Sequence, residues 1–204
     1  MFRFRRLKLS DQMRRRIERQ WLIARAIRRR RALRPVVDRT SSIRRRDILA
    51  FVTLRNEKQR MPYFLDYYRK LGVDHFLIVD NDSTDDTSSY LKRQTDVSLW
   101  HTDASYKRSR FGMDWMNWLL WRYGHKHWCL TIDPDEFLVY PHCDTRPLGA
   151  LTSWLYASGQ RSFPGMLLDM YPKGAIDDHP YREGQNPFEI ARWFDPANYT
   201  IQKN

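Results

Sequence analysis

Four short, nearly continuous apolar runs constrain this chain more than any other feature. Residues 48–54 (Ile-Leu-Ala-Phe-Val-Thr-Leu), 75–79, 97–101 and 128–132 are too short for buried helices and too apolar for strands with one wet face. They read as strands covered on both sides. Between them the period changes. Residues 61–71 place Phe64, Leu65, Tyr68 and Leu71 at helical spacing, and Gly72 supplies the stop. A second helix opens at the polar stretch where Ser83, Thr84 or Asp85 can cap it, and it carries Tyr90 and Leu91. Residues 113–123 are apolar almost all round, which predicts a helix packed between layers. Strands alternating with helices in this way predict an α/β fold, a mostly parallel sheet with helices on both faces. Residues 166–171 read as one more strand.

In such a sheet ligands collect at the carboxyl ends of the strands. Three strand ends here are polar: Arg55-Asn56-Glu57, Asp80-Asn81-Asp82 and Asp133-Pro134-Asp135-Glu136. Their convergence on one rim is the reason to expect a site. Asp133 and Asp135 flank a proline directly after a buried strand, so two hard oxygen ligands share one short turn. That pair suits Mg²⁺ or Mn²⁺, which takes one or two protein carboxylates and completes its shell with water and substrate phosphates. Such an ion would neutralise the charge that develops on a departing diphosphate.

An isolated Asp-x-Asp is more often a solvated turn, and only its place beside two other polar strand ends favours the metal reading. An aspartyl-phosphate phosphatase also carries Asp-x-Asp after a strand, but after the first one and followed by Thr or Val rather than Glu136-Phe137. Lys107, Arg108 and Arg110 suit a diphosphate and suit a solvated loop equally. His125 and His127 read as exposed strand-edge residues, and Cys129 as core packing. Gly-rich phosphate loops, G-x-S-x-G elbows and kinase signatures do not occur in the sequence.

Charge divides the chain unevenly. Residues 1–46 hold 18 Lys+Arg and 3 Asp+Glu, a net +15, whereas the remainder of the 204 residues is net −3. In this first stretch Met13, Ile17, Trp21, Ala24 and Ile27 fall on one helical arc with most arginines elsewhere, the pattern of a basic amphipathic helix. Helices of this kind lie in the headgroup region of anionic membranes, with Trp at the interface. A solvated arm is the competing reading. Nucleic acid is disfavoured, because no base-reading or aromatic-interleaved module follows. Pro35 marks the helix end, and residues 36–46 read as linker, which divides the chain into a basic arm (1–46) and a body (47–204). With 29 aromatic residues the chain can bury a sizeable core, and two cysteines exclude a disulfide-stapled scaffold. The apolar run Trp21 to Ala24 is too short for a membrane span or a signal-peptide core. The expected location is cytoplasmic, peripheral on the inner face of the membrane.

Taken in order, Leu54-Arg55-Asn56-Glu57, then Ile78-Val79-Asp80-Asn81-Asp82-Ser83-Thr84-Asp85-Asp86-Thr87, then Trp128 through Phe137 resembles the family-2-like glycosyltransferases of the GT-A fold. The likeness spans about residues 47–171. It implies a metal-dependent transferase that moves a sugar from a nucleotide-sugar donor to a glycan, lipid or protein acceptor, with inversion. Asn56 and Glu57 then lie where base and ribose are contacted, and Asp80 or Asn81 where the base is read. Asp82 and Arg110 join the donor set. Asp133 approaches the ribose or a metal-bound water, and Asp135 coordinates the metal. The commoner family pattern at the second strand is Asp-Asp-Gly-Ser, which Asn81-Asp82 replaces. Related domains continue past the strand at 166–171 into an acceptor-binding half, so the resemblance implies a chain holding the donor half only, with the general base unassigned. The alternative function is a catalytically inactive, membrane-associated nucleotide-sugar-binding module. A nucleotidyltransferase of similar fold ranks low, because residues 55–60 contain no glycine.

Overall fold

The computed structural model describes residues 11–175 and 179–195. Its centre is a five-stranded sheet in the order β1-β4-β3-β2-β5, with β1 Arg34–Val37, β2 Ile48–Leu54, β3 His75–Asp80, β4 Val97–His101 and β5 Trp128–Thr131. The strands β2 to β5 run parallel, and β1 returns antiparallel along the outside of β4. Helices α1 (Asp11–Arg29), α2 (Met61–Leu71), α3 (Thr87–Lys92), α4 (Met113–Tyr123) and α5 (Leu148–Ala157) flank it, giving the Rossmann-like α/β architecture that the alternating pattern predicts.

Every residue of β2 and β3 is buried, and the side-chain period of two divides them between two cores. Ala50, Val52 and Leu54 pack with Phe76 and Ile78 against the face of α2 that carries Met61, Phe64, Leu65, Tyr68 and Leu71. Leu49, Phe51, Leu77, Val79 and Trp100 meet Trp115, Met116 and Leu119 of α4 on the other side. Helix α2 ends where expected. Gly72, at φ +103°, takes the left-handed conformation, and its N–H reaches the carbonyls of Tyr68 and Arg69.

Two expectations need correction. Residues 36–46 are not a plain linker. Arg34–Val37 is the edge strand β1, registered Arg34↔His101, Pro35↔Trp100 and Val37↔Leu99, and a 3₁₀ turn follows at Thr40–Ser42. Proline is tolerated there because an outer strand can spare a donor. The second correction concerns residues 166–171. Only Met170–Tyr171 is a strand (β6), and it pairs with Trp193–Phe194 (β7) in a separate, exposed two-stranded ribbon. The main sheet ends at β5. A short helix α6, Pro187–Ile190, lies between these two strands in the chain, with Asn186 Oδ1 accepting from Phe188 N.

The basic helix does form, and it is held to the body. Ala26, on the side opposite Ile17 and Trp21, is buried, and the helix packs along α4. Arg25 Nε lies 3.0 and 2.9 Å from the two carboxylate oxygens of Asp114, which is itself 1% exposed, and Arg25 Nη2 donates to the Arg108 carbonyl. No helix among the described residues is long and apolar enough to cross a membrane.

Candidate functional site

Parallel strands place the turns after β2, β3 and β5 at one edge of the sheet. Leu54 lies opposite Asp80, and Phe51 opposite Thr131. The first two turns are laced together. Asn56 N donates to Ser83 Oγ at 2.8 Å, and Thr84 N donates to Asn56 Oδ1 at 2.7 Å. Glu57 N donates to Thr87 Oγ1, and Lys58 N to Asp85 Oδ2. Asn56 needs the left-handed conformation (φ 57°) to enter this arrangement, and asparagine tolerates it better than most residues. Asp85 serves the start of α3 by accepting from Thr87 N at 3.0 Å and from Thr87 Oγ1 at 2.5 Å. Desolvation pushes the Asp85 carboxyl up, but these bonds together with that from Lys58 N outweigh it and hold it below its ordinary value.

The predicted donor-binding residues separate into two groups. Asp80 is 1% exposed, and its Oδ1 accepts from Ser83 N at 2.9 Å. Asn81 is 6% exposed, with its amide nitrogen donating to the carbonyls of Thr102 and Ala104, both at 3.0 Å. These two side chains build the turn. Asp82, by contrast, is exposed with φ 60°. Glu57 is partly exposed and accepts from Arg60 Nη1 at 2.7 Å. Arg110 is exposed in the left-handed conformation, closing the 3₁₀ turn Lys107–Ser109 in the same loop as Tyr106.

The acidic turn differs from both. Asp133 and Asp135 are exposed on either side of a buried Pro134. Glu136 N donates to the Asp133 carbonyl at 3.0 Å, and Asp133 N to Glu136 Oε2 at 3.3 Å, so Glu136 folds back over the turn. Desolvation raises the Asp133 carboxyl above its ordinary value, and the carboxylates of Glu136 and Asp135 raise it further. Such clustering of like charge is what a bound cation relieves. No group of three or more His, Cys, Asp or Glu side chains placed to hold a metal occurs among the described residues. Two oxygen ligands nonetheless fit a magnesium-type ion that takes its remaining ligands from water and a phosphate-bearing substrate.

Three neighbours of this rim escaped sequence reasoning. Arg60, at the N-cap of α2, feels Asp135 as well as Glu57. Desolvation works to lower its guanidinium, and the hydrogen bond and charge of Glu57, followed by the charge of Asp135, outweigh it and raise it. Tyr106 is raised first by desolvation and then by Asp133, which places its hydroxyl in that carboxylate's field. Thr53, one residue before the end of β2, has a buried hydroxyl with no hydrogen-bond partner. Above it lies Gly112, where a Cβ would come within 2.9 Å of Thr53 Cγ2 and 3.1 Å of the Tyr106 ring. Each of the three is an ordinary residue type outside any motif. Only the spacing of Arg60 three residues after Glu57 was readable in advance, as a local ion pair.

The remaining candidates are structural. His127 Nδ1 lies 2.9 Å from the Asp47 carbonyl oxygen, while His125 is exposed. Burial pushes the Cys129 thiol up to about 11, which leaves it protonated and poorly nucleophilic at neutral pH. Fold and rim together define a Rossmann-like α/β protein with an exposed acidic turn at the strand-end edge of its sheet. No protein-family model matches the chain, and neither does any curated protein.

Proposed function

We propose that the chain binds a nucleotide-diphosphate sugar at this rim, with Mg²⁺ or Mn²⁺ held by Asp133 and Asp135, and transfers the sugar to a glycan, lipid or protein acceptor. One observation carries the reading. The acidic turn leaves Asp133 and Asp135 exposed on either side of Pro134, with the Asp133 carboxyl raised by desolvation and by its acidic neighbours, at the strand-end edge where the polar turns after β2 and β3 also lie. The likeness of the three ordered motifs to family-2-like glycosyltransferases supports the same class. When bound, the divalent ion stabilises negative charge on the leaving diphosphate. The chain's own side chains do the positioning. Arg60 holds the Glu57 carboxylate, the Asn56–Ser83–Thr84 bonds hold the two nucleotide-facing turns together, and the exposed Tyr106 lies in the field of Asp133.

Calorimetric titration with UDP and GDP, each with and without Mn²⁺, tests the binding step. Manganese-dependent affinity for one of them is expected, falling at least about tenfold in Asp135→Ala, the equivalent of about 1.4 kcal/mol. Absence of binding to both nucleotides by a folded protein overturns the proposal. Release of free nucleotide from the matching nucleotide-sugar in the presence of candidate acceptors then separates a transferase from a binding module.

A further inference from the structure

We propose that the outward face of α1 docks on an anionic phospholipid bilayer, with the helix lying in the headgroup plane. This surface is separate from the strand-end rim, and the inference stands whatever that rim binds. Only one side of α1 is committed to the body. Ala26 is 1% exposed against α4, Arg25 is clasped by Asp114 and the Arg108 carbonyl, and just past the helix end the Arg30 guanidinium lies 5.1 Å from the Trp118 ring centroid.

The opposite side carries Ile17 at 51% and Trp21 at 55% exposure, with Ala24 exposed one turn on. At 100° per residue these three fall within an arc of about 60°. Arg14 borders that arc, and Arg28 falls within it one turn beyond Ala24. A shallow hollow beside it is lined by Trp21, Ala24, Arg25, Arg28 and Arg29, with the Arg25 guanidinium 5.6 Å from the Trp21 ring centroid. Over its length α1 holds seven arginines against two acids.

Composition and exposure decide between occupants. A nucleic-acid backbone would engage the arginines and leave Ile17 and Trp21 in water. A second copy of the same face would set arginine against arginine, which is repulsive. A bilayer with anionic headgroups satisfies both halves of the pattern at once, since the arginines meet lipid phosphates while indole and isoleucine enter the apolar boundary. Docking against α4 also holds the helix already folded, so its apolar stripe is presented before any lipid arrives.

Deleting residues 1–46 would be a poor test, because it also removes edge strand β1 and the buried Leu33. The experiment uses the full chain in co-sedimentation with extruded vesicles of phosphatidylcholine, alone and mixed with phosphatidylglycerol. Binding to the mixed vesicles only is expected. Ile17→Asp and Trp21→Asp should each weaken it about tenfold or more, and Arg28→Gln by about fivefold. Both apolar positions face outward, so unchanged thermal unfolding verifies that the variants are folded. Brominated lipid should quench a fluorescence component that is missing from Trp21→Phe. The proposal is overturned if folded protein ignores the mixed vesicles or if Ile17→Asp and Trp21→Asp bind them like the parent, which would mean adsorption by charge alone. It is equally overturned if a DNA duplex binds more tightly than the vesicles and with the same indifference to those two variants.

Discussion

The turn after β3 and the turn after β5 are both rich in aspartate, yet the chain uses them in opposite ways. After β3, Asp80, Asn81 and Asp85 spend their side chains on neighbouring main-chain groups, and the first two are buried. After β5, Asp133 and Asp135 stay exposed, and desolvation, with the field of its acidic neighbours, makes Asp133 harder to ionise. Acidic residues at a strand end are therefore not equivalent evidence for a site. One turn is a scaffold, and the other carries exposed charge of which Asp133 is penalised by its own acidic neighbours.

The sharpest way to break this contrast is Asp80→Ala. It leaves Ser83 N–H without its carboxylate, and a loss of about 2–3 kcal/mol in denaturant unfolding is expected. Gly112→Ala follows, at about 1–2 kcal/mol, because the position combines φ +78° with a 2.9 Å approach to Thr53. A loss at Asp80 no larger than at an exposed surface position would erase the distinction between the turns. Asp133→Asn should act in the reverse sense. A carboxyl raised by folding weakens the folded state above its unfolded titration range, so the amide should leave unfolding unchanged or slightly later at neutral pH while removing metal-dependent nucleotide binding. A clear destabilisation would place Asp133 with the scaffold residues.

The smallest effect belongs to His75, whose Nε2 lies 2.9 Å from Ser98 Oγ. Desolvation lowers it below its ordinary value, against the raising influence of Asp96 and Asp47. The unfolded chain then takes up the proton first, so this group's contribution to stability is present above about pH 6.5 and falls away as the pH drops through that range. His75→Gln should flatten the slope of unfolding free energy between neutral and mildly acidic pH.

The sheet was legible because β2 and β3 are apolar without interruption, a pattern that only two-sided burial explains. β1 was not, since four residues containing arginine and proline look like linker until a partner strand is supplied. The docking of α1 was hidden for a related reason. Its committed side depends on a small residue, Ala26, and on Arg25, which resembles its solvated neighbours until Asp114 is placed beside it 89 residues along the chain. At the rim, the three polar clusters were readable as clusters. Their division into builders and exposed groups was not, because that depends on which main-chain N–H groups lie within reach.

The Tyr68 hydroxyl of α2 donates to the Glu136 carbonyl and accepts from Leu138 N, both at 3.0 Å, tying the far end of the acidic turn to the helix. Arg60, which feels Asp135, stands at the start of that same helix. The acidic turn is thus slung between a strand at one end and a helix at the other. Any sliding of the helical layer over the sheet would carry Arg60 and the far end of the turn in step, altering the reach of the two aspartates toward the β3 side without breaking their tie to α2.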